Sequence, residues 1–194
     1  MALKPGDVIR GSKDASGFLI HMPFRIVGRL VKPLRKAPGS MPGMLVHTGQ
    51  RKMESTRITF LDYDEASFRE QEVDGVERVL PLRDLPTVSW INVDGLHDVE
   101  VIRELGQHFG LHPLVMEDLV HVGQRPKEEV YDAYIYVVLS MLSWDAEQGQ
   151  VVEEQLSLVV GPNWVLTFQE RVGDFFEPVR QRPRGRSGQI RSPG

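Results

Sequence analysis

Residues 130–144 carry apolar side chains at both parities of an extended backbone, and nothing else in the chain limits its fold so sharply. Tyr134, Tyr136, Val138 and Leu142 fall on one side, and Ile135, Val137, Leu139 and Met141 on the other. Side chains alternate between the two faces of a strand. A strand apolar on both is expected at the centre of a sheet, with both faces covered. Ala146-Glu147-Gln148-Gly149 supplies a turn, and residues 151–160 return as the antiparallel partner. The longest apolar run, 133–144, is broken by two serines and is far shorter than the roughly 20 residues that cross a bilayer as a helix. No membrane span is expected in this chain.

Around this hairpin the remaining elements follow from periodicity and punctuation. Residues 44–48 and 57–63 read as strands, the second turning Ile58, Phe60 and Leu61 inward. Residues 64–72 read as a short helix that Asp64 caps. Residues 88–93 form another strand. Residues 98–109 form a helix, because Val99, Ile102, Leu105 and Phe109 share one face and Gly110 suits its C-terminal cap. Residues 163–169 add a strand, and 173–182 begin a last helix that Pro183 disturbs. The expected architecture is α/β, a mixed β-sheet sandwiched between helices.

Residues 112–127 read His-Pro-Leu-Val-Met-Glu-Asp-Leu-Val-His-Val-Gly-Gln-Arg-Pro-Lys. Pro113 takes a first helical position, where a missing N–H costs nothing, and His112 is placed to cap the start. Val115, Leu119 and Val122 make one apolar stripe. At about 100° per residue, Glu117 falls opposite that stripe and Asp118 on its flank. The Gln124-Arg125-Pro126-Lys127 segment ends the helix. Arg125 and Lys127 read as anchors of the helix–strand turn through salt bridges. Glu117 and Asp118 are the candidate metal residues, since hard oxygens are what magnesium takes, commonly one or two carboxylates beside retained waters. Neighbours about 100° apart do not readily clamp one ion, so each needs oxygens from elsewhere.

The His-Pro-Leu-Val-aliphatic-Glu-Asp helix followed by Gln-Arg-Pro-Lys resembles the soluble domain of the CorA family of magnesium and cobalt channels. So do Trp90-Ile91-Asn92-Val93-Asp94-Gly95 before it, and Glu154-Gln155-Leu156-Ser157-Leu158, Val165-Leu166-Thr167-Phe168-Gln169-Glu170 and the stretch from Gly173-Asp174 to Pro178-Val179-Arg180 after it. The resemblance runs in order from about residue 43 to residue 191. It implies the same α/β/α fold, with the last helix lengthening into a stalk that enters the membrane. It also implies that Glu117 and Asp118 line a subunit interface of a homopentamer, where they hold regulatory Mg2+, or Co2+, with acids of the neighbouring stalk. The family's two transmembrane helices and its Gly-Met-Asn signature would lie beyond Gly194. The chain is therefore expected to be the isolated cytosolic portion of such a channel, at the cytoplasmic face of the inner membrane, touching the membrane only through those missing helices.

Composition narrows the other classes. The chain of 194 residues has no Cys, 41% hydrophobic and 26% charged residues, which suits one globular domain with neither disulfides nor a thiolate metal site. The net charge of −4 hides an asymmetry. Residues 1–42 hold eight Lys/Arg against Asp7 and Asp14, and residues 180–194 hold five Arg and no acid. Residues 43–179 hold ten basic and twenty-five acidic side chains, near −15. That acidic body argues against nucleic acid as a partner, because phosphate binding needs positive surface charge. Residues 1–42, rich in Pro and Gly, read as a basic mobile tail ahead of a domain at 43–194.

No hydrolase elbow or phosphate loop appears, so no catalytic residue is assigned and an enzyme is not expected. Glu128 and Glu129 read as protection of a strand edge, and Glu153 and Glu154 as solubilising charge. His108 and His112 are separated by Gly110 and Pro113 and so do not form a helical zinc pair. The rival readings are a zinc transporter of the same superfamily, a stand-alone soluble enzyme or nucleotide-binding protein, and a nucleic-acid adaptor working through the basic ends.

Overall fold

The computed structural model describes residues 45–185 and 190–191; the expected tail at 1–42 lies outside the described residues. Seven strands form one mixed sheet in the order β2-β1-β3-β7-β6-β5-β4. β1 (Arg57–Tyr63) lies antiparallel between β2 (Phe68–Val73) and β3 (Val88–Asp94). β3 runs parallel to β7 (Trp164–Gln169). The other half is an antiparallel meander of β4 (Lys127–Val130), β5 (Ile135–Asp145), β6 (Gln150–Val160) and β7.

Between β3 and β4 the chain makes α1 (Val99–Phe109) and α2 (Pro113–Val120). Asp98 caps α1 by accepting from the amides of Glu100 and Val101. Gly110 ends it with φ 72°, in the left-handed region that a Cβ disfavours. Gly110→Ala is expected to cost about 1 kcal/mol of stability, readable as a lower urea midpoint at unchanged slope. Ile102, Leu105 and Phe109 of α1 and Val115 and Leu119 of α2 bury against one sheet face, on Ile91, Val93, Leu166 and Phe168. Two 3-10 segments, Val76–Arg78 and Leu80–Asp84, close the β1 side of that layer through Val76, Val79 and Leu82.

The opposite sheet face is covered unevenly. α3 (Glu177–Arg184) lies over Trp90: the Phe176 ring meets the indole edge-on at 5.6 Å, and the Arg180 guanidinium stands 4.6 Å from its centroid. Asp174 holds this helix start by pairing with Arg180 and accepting from the Phe176 amide. Beneath it the sheet is polar. Trp90 Nε1 donates to Thr167 Oγ1, which donates to Asn92 Oδ1, and Asn92 and Gln169 both donate to Asp94. Helices thus lie on both faces of a mixed sheet, as expected.

Several expectations need correction. Residues 130–144 are not one central strand: β4 ends at Val130, a turn follows in which Tyr131 N donates to Tyr134 O, and β5 is the second strand from an edge. Its Tyr136 face is buried only at Tyr136 and Val138, while Leu142 and Trp144 farther along that face are exposed. On the other face Ile135 and Leu139 are 38% and 40% exposed, because α3 lies over the β3 side. Residues 64–72 are not a helix. Asp64 does receive the amides of Ala66 and Ser67, but it sets a hairpin turn, and Phe68–Val73 pairs with β1; tertiary pairing overrides helical preference there. Residues 45–48 form no strand. The Thr48 amide donates to Val120 O at the end of α2, so this segment braces a helix rather than joining a ladder. The last helix begins at Glu177 and contains Pro183 in its final turn, where the missing N–H removes one helical bond.

Candidate functional site

α2 carries both candidate carboxylates, and its position is fixed from each end. At the start, His112 Nδ1 accepts from the Leu114 amide at 3.2 Å, the predicted cap, while the His112 amide donates to Tyr134 Oη at 2.8 Å. The imidazole stacks on Tyr131, which stacks on Tyr134. His112 therefore serves the helix start, and Gly110 parts it from His108 as the spacing implied. The helix stops at Val120, short of Val122, so Val120 joins Val115 and Leu119 as the fully buried face and Val122 packs only partly. At that end Gln124 Nε2 donates to the carbonyls of Asp118 and His121, and Gln155 of β6 bonds the Gln124 amide. The loop before Pro126 is thus a clamp on the last turn of α2.

Pro126 turns the chain so that β4 starts beside α2. Lys127 Nζ donates to Asp118 Oδ2 and, at 2.7 Å, to Glu129 Oε1. Glu129 Oε2 accepts from Tyr131 Oη at 2.8 Å, and the ammonium stands 5.3 Å from the centroid of the buried Tyr136 ring. Burial pushes the Lys127 ammonium toward losing its proton, yet hydrogen bonds to both carboxylates outweigh this and hold it above the usual lysine range. The bond from Lys127 and the phenol together keep the Glu129 carboxyl below its ordinary value. The Tyr131 phenol, partly desolvated and facing that carboxylate, is pushed up to about 12.

Asp118 and Lys127 keep 30% and 29% of their side chains exposed, so the pair remains open to solvent and to an approaching ion. Such a part-exposed bridge contributes about 0.5–1 kcal/mol. Glu117 sits half-buried rather than fully outward. Both carboxylates thus leave α2 in different directions, as helical geometry requires. Among the described residues no group of three or more His, Asp or Glu side chains could hold a metal ion. Asp118 offers hard carboxylate oxygens of the kind magnesium takes, one of them engaged by the Lys127 ammonium.

Lys127 anchors the turn, as its place in the sequence implied. That it does so through Asp118 was not foreseen, nor was the part played by Glu129. β4 is indeed a sheet edge, where Glu128 and Glu129 fall, but Glu129 also belongs to the Asp118 cluster. Glu154 is no solubilising charge: it is buried and accepts from Arg171 N at 3.0 Å and Arg171 Nε at 2.6 Å. Nearby apolar residues in β5 and β6 are the only hint of this in the sequence, since Arg171 lies on a different segment. Away from the cluster, an open cavity of about 540 Å³ lies between the loop before β1 and the start of α1, lined by Arg51, Asp74, His97 and Glu100 among others. No helix among the described residues is long and apolar enough to cross a membrane.

The family model described as CorA-like Mg2+ transporter protein matches residues 87–194. A cobalt/magnesium transport protein CorA of Thermotoga maritima is 44% identical over 160 residues, covering 82% of this chain and 45% of that protein. A putative metal ion transporter of Bacillus subtilis is 31% identical over 109 residues, covering 55% and 31% respectively. The solved structure of the full-length CmaX protein superposes with a TM-score of 0.56 at 15% identity, over 72% of this chain and 42% of that one, a likeness of fold alone. The chain spans less than half the length of both curated relatives.

Proposed function

The chain belongs to the CorA-like Mg2+ transporter family, and we propose that it is the divalent-cation-sensing, regulatory portion of a magnesium and cobalt channel, with Asp118 and Glu117 as its ion-binding carboxylates. The observation that carries this reading is the placement of Asp118, part-exposed on a helix clamped at both ends, in a chain matched by the CorA-like Mg2+ transporter family model. In the full-length homopentamer, on the cytoplasmic side of the membrane, Asp118 and Glu117 share Mg2+ or Co2+ with carboxylates of the neighbouring subunit. Charge neutralisation there holds the closed assembly. When cation is scarce the acidic faces of adjacent subunits repel and loosen, which favours opening. The transport names of the curated relatives support the ion class, and they do not point to an enzyme.

Asp118→Ala in the full-length protein is expected to raise the magnesium midpoint for protection from limited proteolysis several-fold, because a bound state loses a charged ligand and mass action demands more free ion. Glu147→Ala, in the β5–β6 turn, should leave it in place. The 194-residue chain alone should bind magnesium only weakly by calorimetry. An unmoved midpoint for Asp118→Ala, or tight binding by the isolated chain, rejects the interfacial site.

A further inference from the structure

We propose that Lys127 is the resident cation of the Asp118 site, a tethered ammonium that balances this carboxylate when divalent ions are scarce and withdraws to Glu129 when one binds. The inference rests on the reading of Asp118 as an ion ligand and adds what sets the concentration at which it fills. Three features of the cluster support it. The ammonium is shared, donating at once to Asp118 Oδ2 and to Glu129 Oε1, so leaving Asp118 does not strand an unpaired charge. Its second seat is built in, because Glu129 is held on its other oxygen by Tyr131 Oη. Its Nζ stands 5.3 Å from the centroid of the buried Tyr136 ring, a cation–π contact that keeps the head group beside both carboxylates.

A covalently tethered cation competes at a high effective concentration. The divalent ion must displace it, and each ion bound at Asp118 therefore costs the breaking of one part-exposed ion pair. For a pair of that kind the penalty corresponds to about fivefold in apparent affinity. The tether also makes the site less responsive to monovalent salt than a bare carboxylate, since the competing charge is already in place.

The test is a magnesium chloride titration of proteolytic protection on the full-length protein at fixed ionic strength, with sedimentation to confirm assembly. Lys127→Met keeps the apolar stem and removes the charge, and should lower the midpoint about fivefold. Lys127→Gln should shift it in the same direction, and serves if the Met variant fails to assemble. Lys127→Arg retains a cation and should stay within about twofold of the parent. In an Asp118→Ala background the Lys127→Met shift should vanish, the sign of direct coupling between the two side chains. If Asp118→Ala raises the midpoint but neither neutral Lys127 variant lowers it, Lys127 is only a structural tether and the proposal falls while the site stands. If Asp118→Ala itself does nothing, the ion-site reading fails and this one with it.

Discussion

Phe109→Ala is expected to lower the unfolding free energy of the 194-residue chain by about 3–5 kcal/mol. Phe109 ends α1 with its ring almost fully buried, and it meets Trp164, the first residue of β7, edge-on at 4.9 Å and 73°. This contact locks the helical layer to the middle of the sheet. Truncation removes the transfer free energy of the ring and leaves a cavity among Leu105, Leu111 and Trp164, residues of one core cluster. It also forfeits the edge-to-face term, about 0.5–1.5 kcal/mol beyond area burial. The site has little room to collapse, since the Gly110 turn fixes the backbone that follows. Against a total of roughly 5–15 kcal/mol for a domain, the loss is large, and it should appear in urea as a lower midpoint with an unchanged slope. A loss under about 1 kcal/mol would mean that α1 is not held to β7 as described.

Asp62→Ala should cost about 2–3 kcal/mol at neutral pH, and the cost should shrink in acid. Asp62 is 1% exposed on β1 and joins three segments. Arg69 of β2 donates from Nε at 3.2 Å and Nη2 at 2.6 Å; Ser89 of β3 donates at 2.9 Å, and Thr87 just before β3 donates as well. Removal leaves the Ser89 hydroxyl, which is fully buried, with a poorer partner at 3.5 Å on Leu82 O. Arg69 is more than half exposed and turns to water, so the penalty stays below that of a fully buried ion pair.

Burial pushes the Asp62 carboxyl up, but the bonds from Thr87, Arg69 and Ser89 outweigh it and hold the group below its ordinary value. A depressed carboxyl stabilises the fold fully above its unfolded value of about 4, and that stability is lost as pH falls through the folded value. Urea titrations at pH 7 and near pH 3 should therefore show the parent and Asp62→Ala converging in acid. A penalty that grows in acid would assign the wrong sign to the network.

The readings that hold rest on signals contained within a dozen residues. α1 announces itself through Asp98, the 3.6-residue stripe and Gly110, and α2 through His112 and Pro113. β1, β3, β7 and the β5–β6 hairpin follow from apolar runs between turn residues. These are local energies of capping, periodicity and turn geometry, which each segment carries wherever it is placed. The mixed α/β class and the family resemblance grow out of their order along the chain.

Contacts between distant segments decided the rest. Residues 64–72 carry a capping Asp and charged residues that suit a helix, yet the edge of β1 offers a ladder from Ile58↔Val73 to Tyr63↔Phe68, and that pairing prevails. β5 is apolar on both faces, but only the placement of α3 over Trp90 shows which stretch of the sheet is covered. The run of contacts from Asp118 through Lys127 and Glu129 to Tyr131 exists only because Pro126 sets β4 against α2 while Gln124 and Gln155 hold the intervening loop. Sequence by itself determined which residues bear charge and, where capping and periodicity are strong, as in α1 and α2, which segments are helix. Tertiary structure decided which charges meet, because an ion pair depends on distances of a few ångströms that no local pattern encodes.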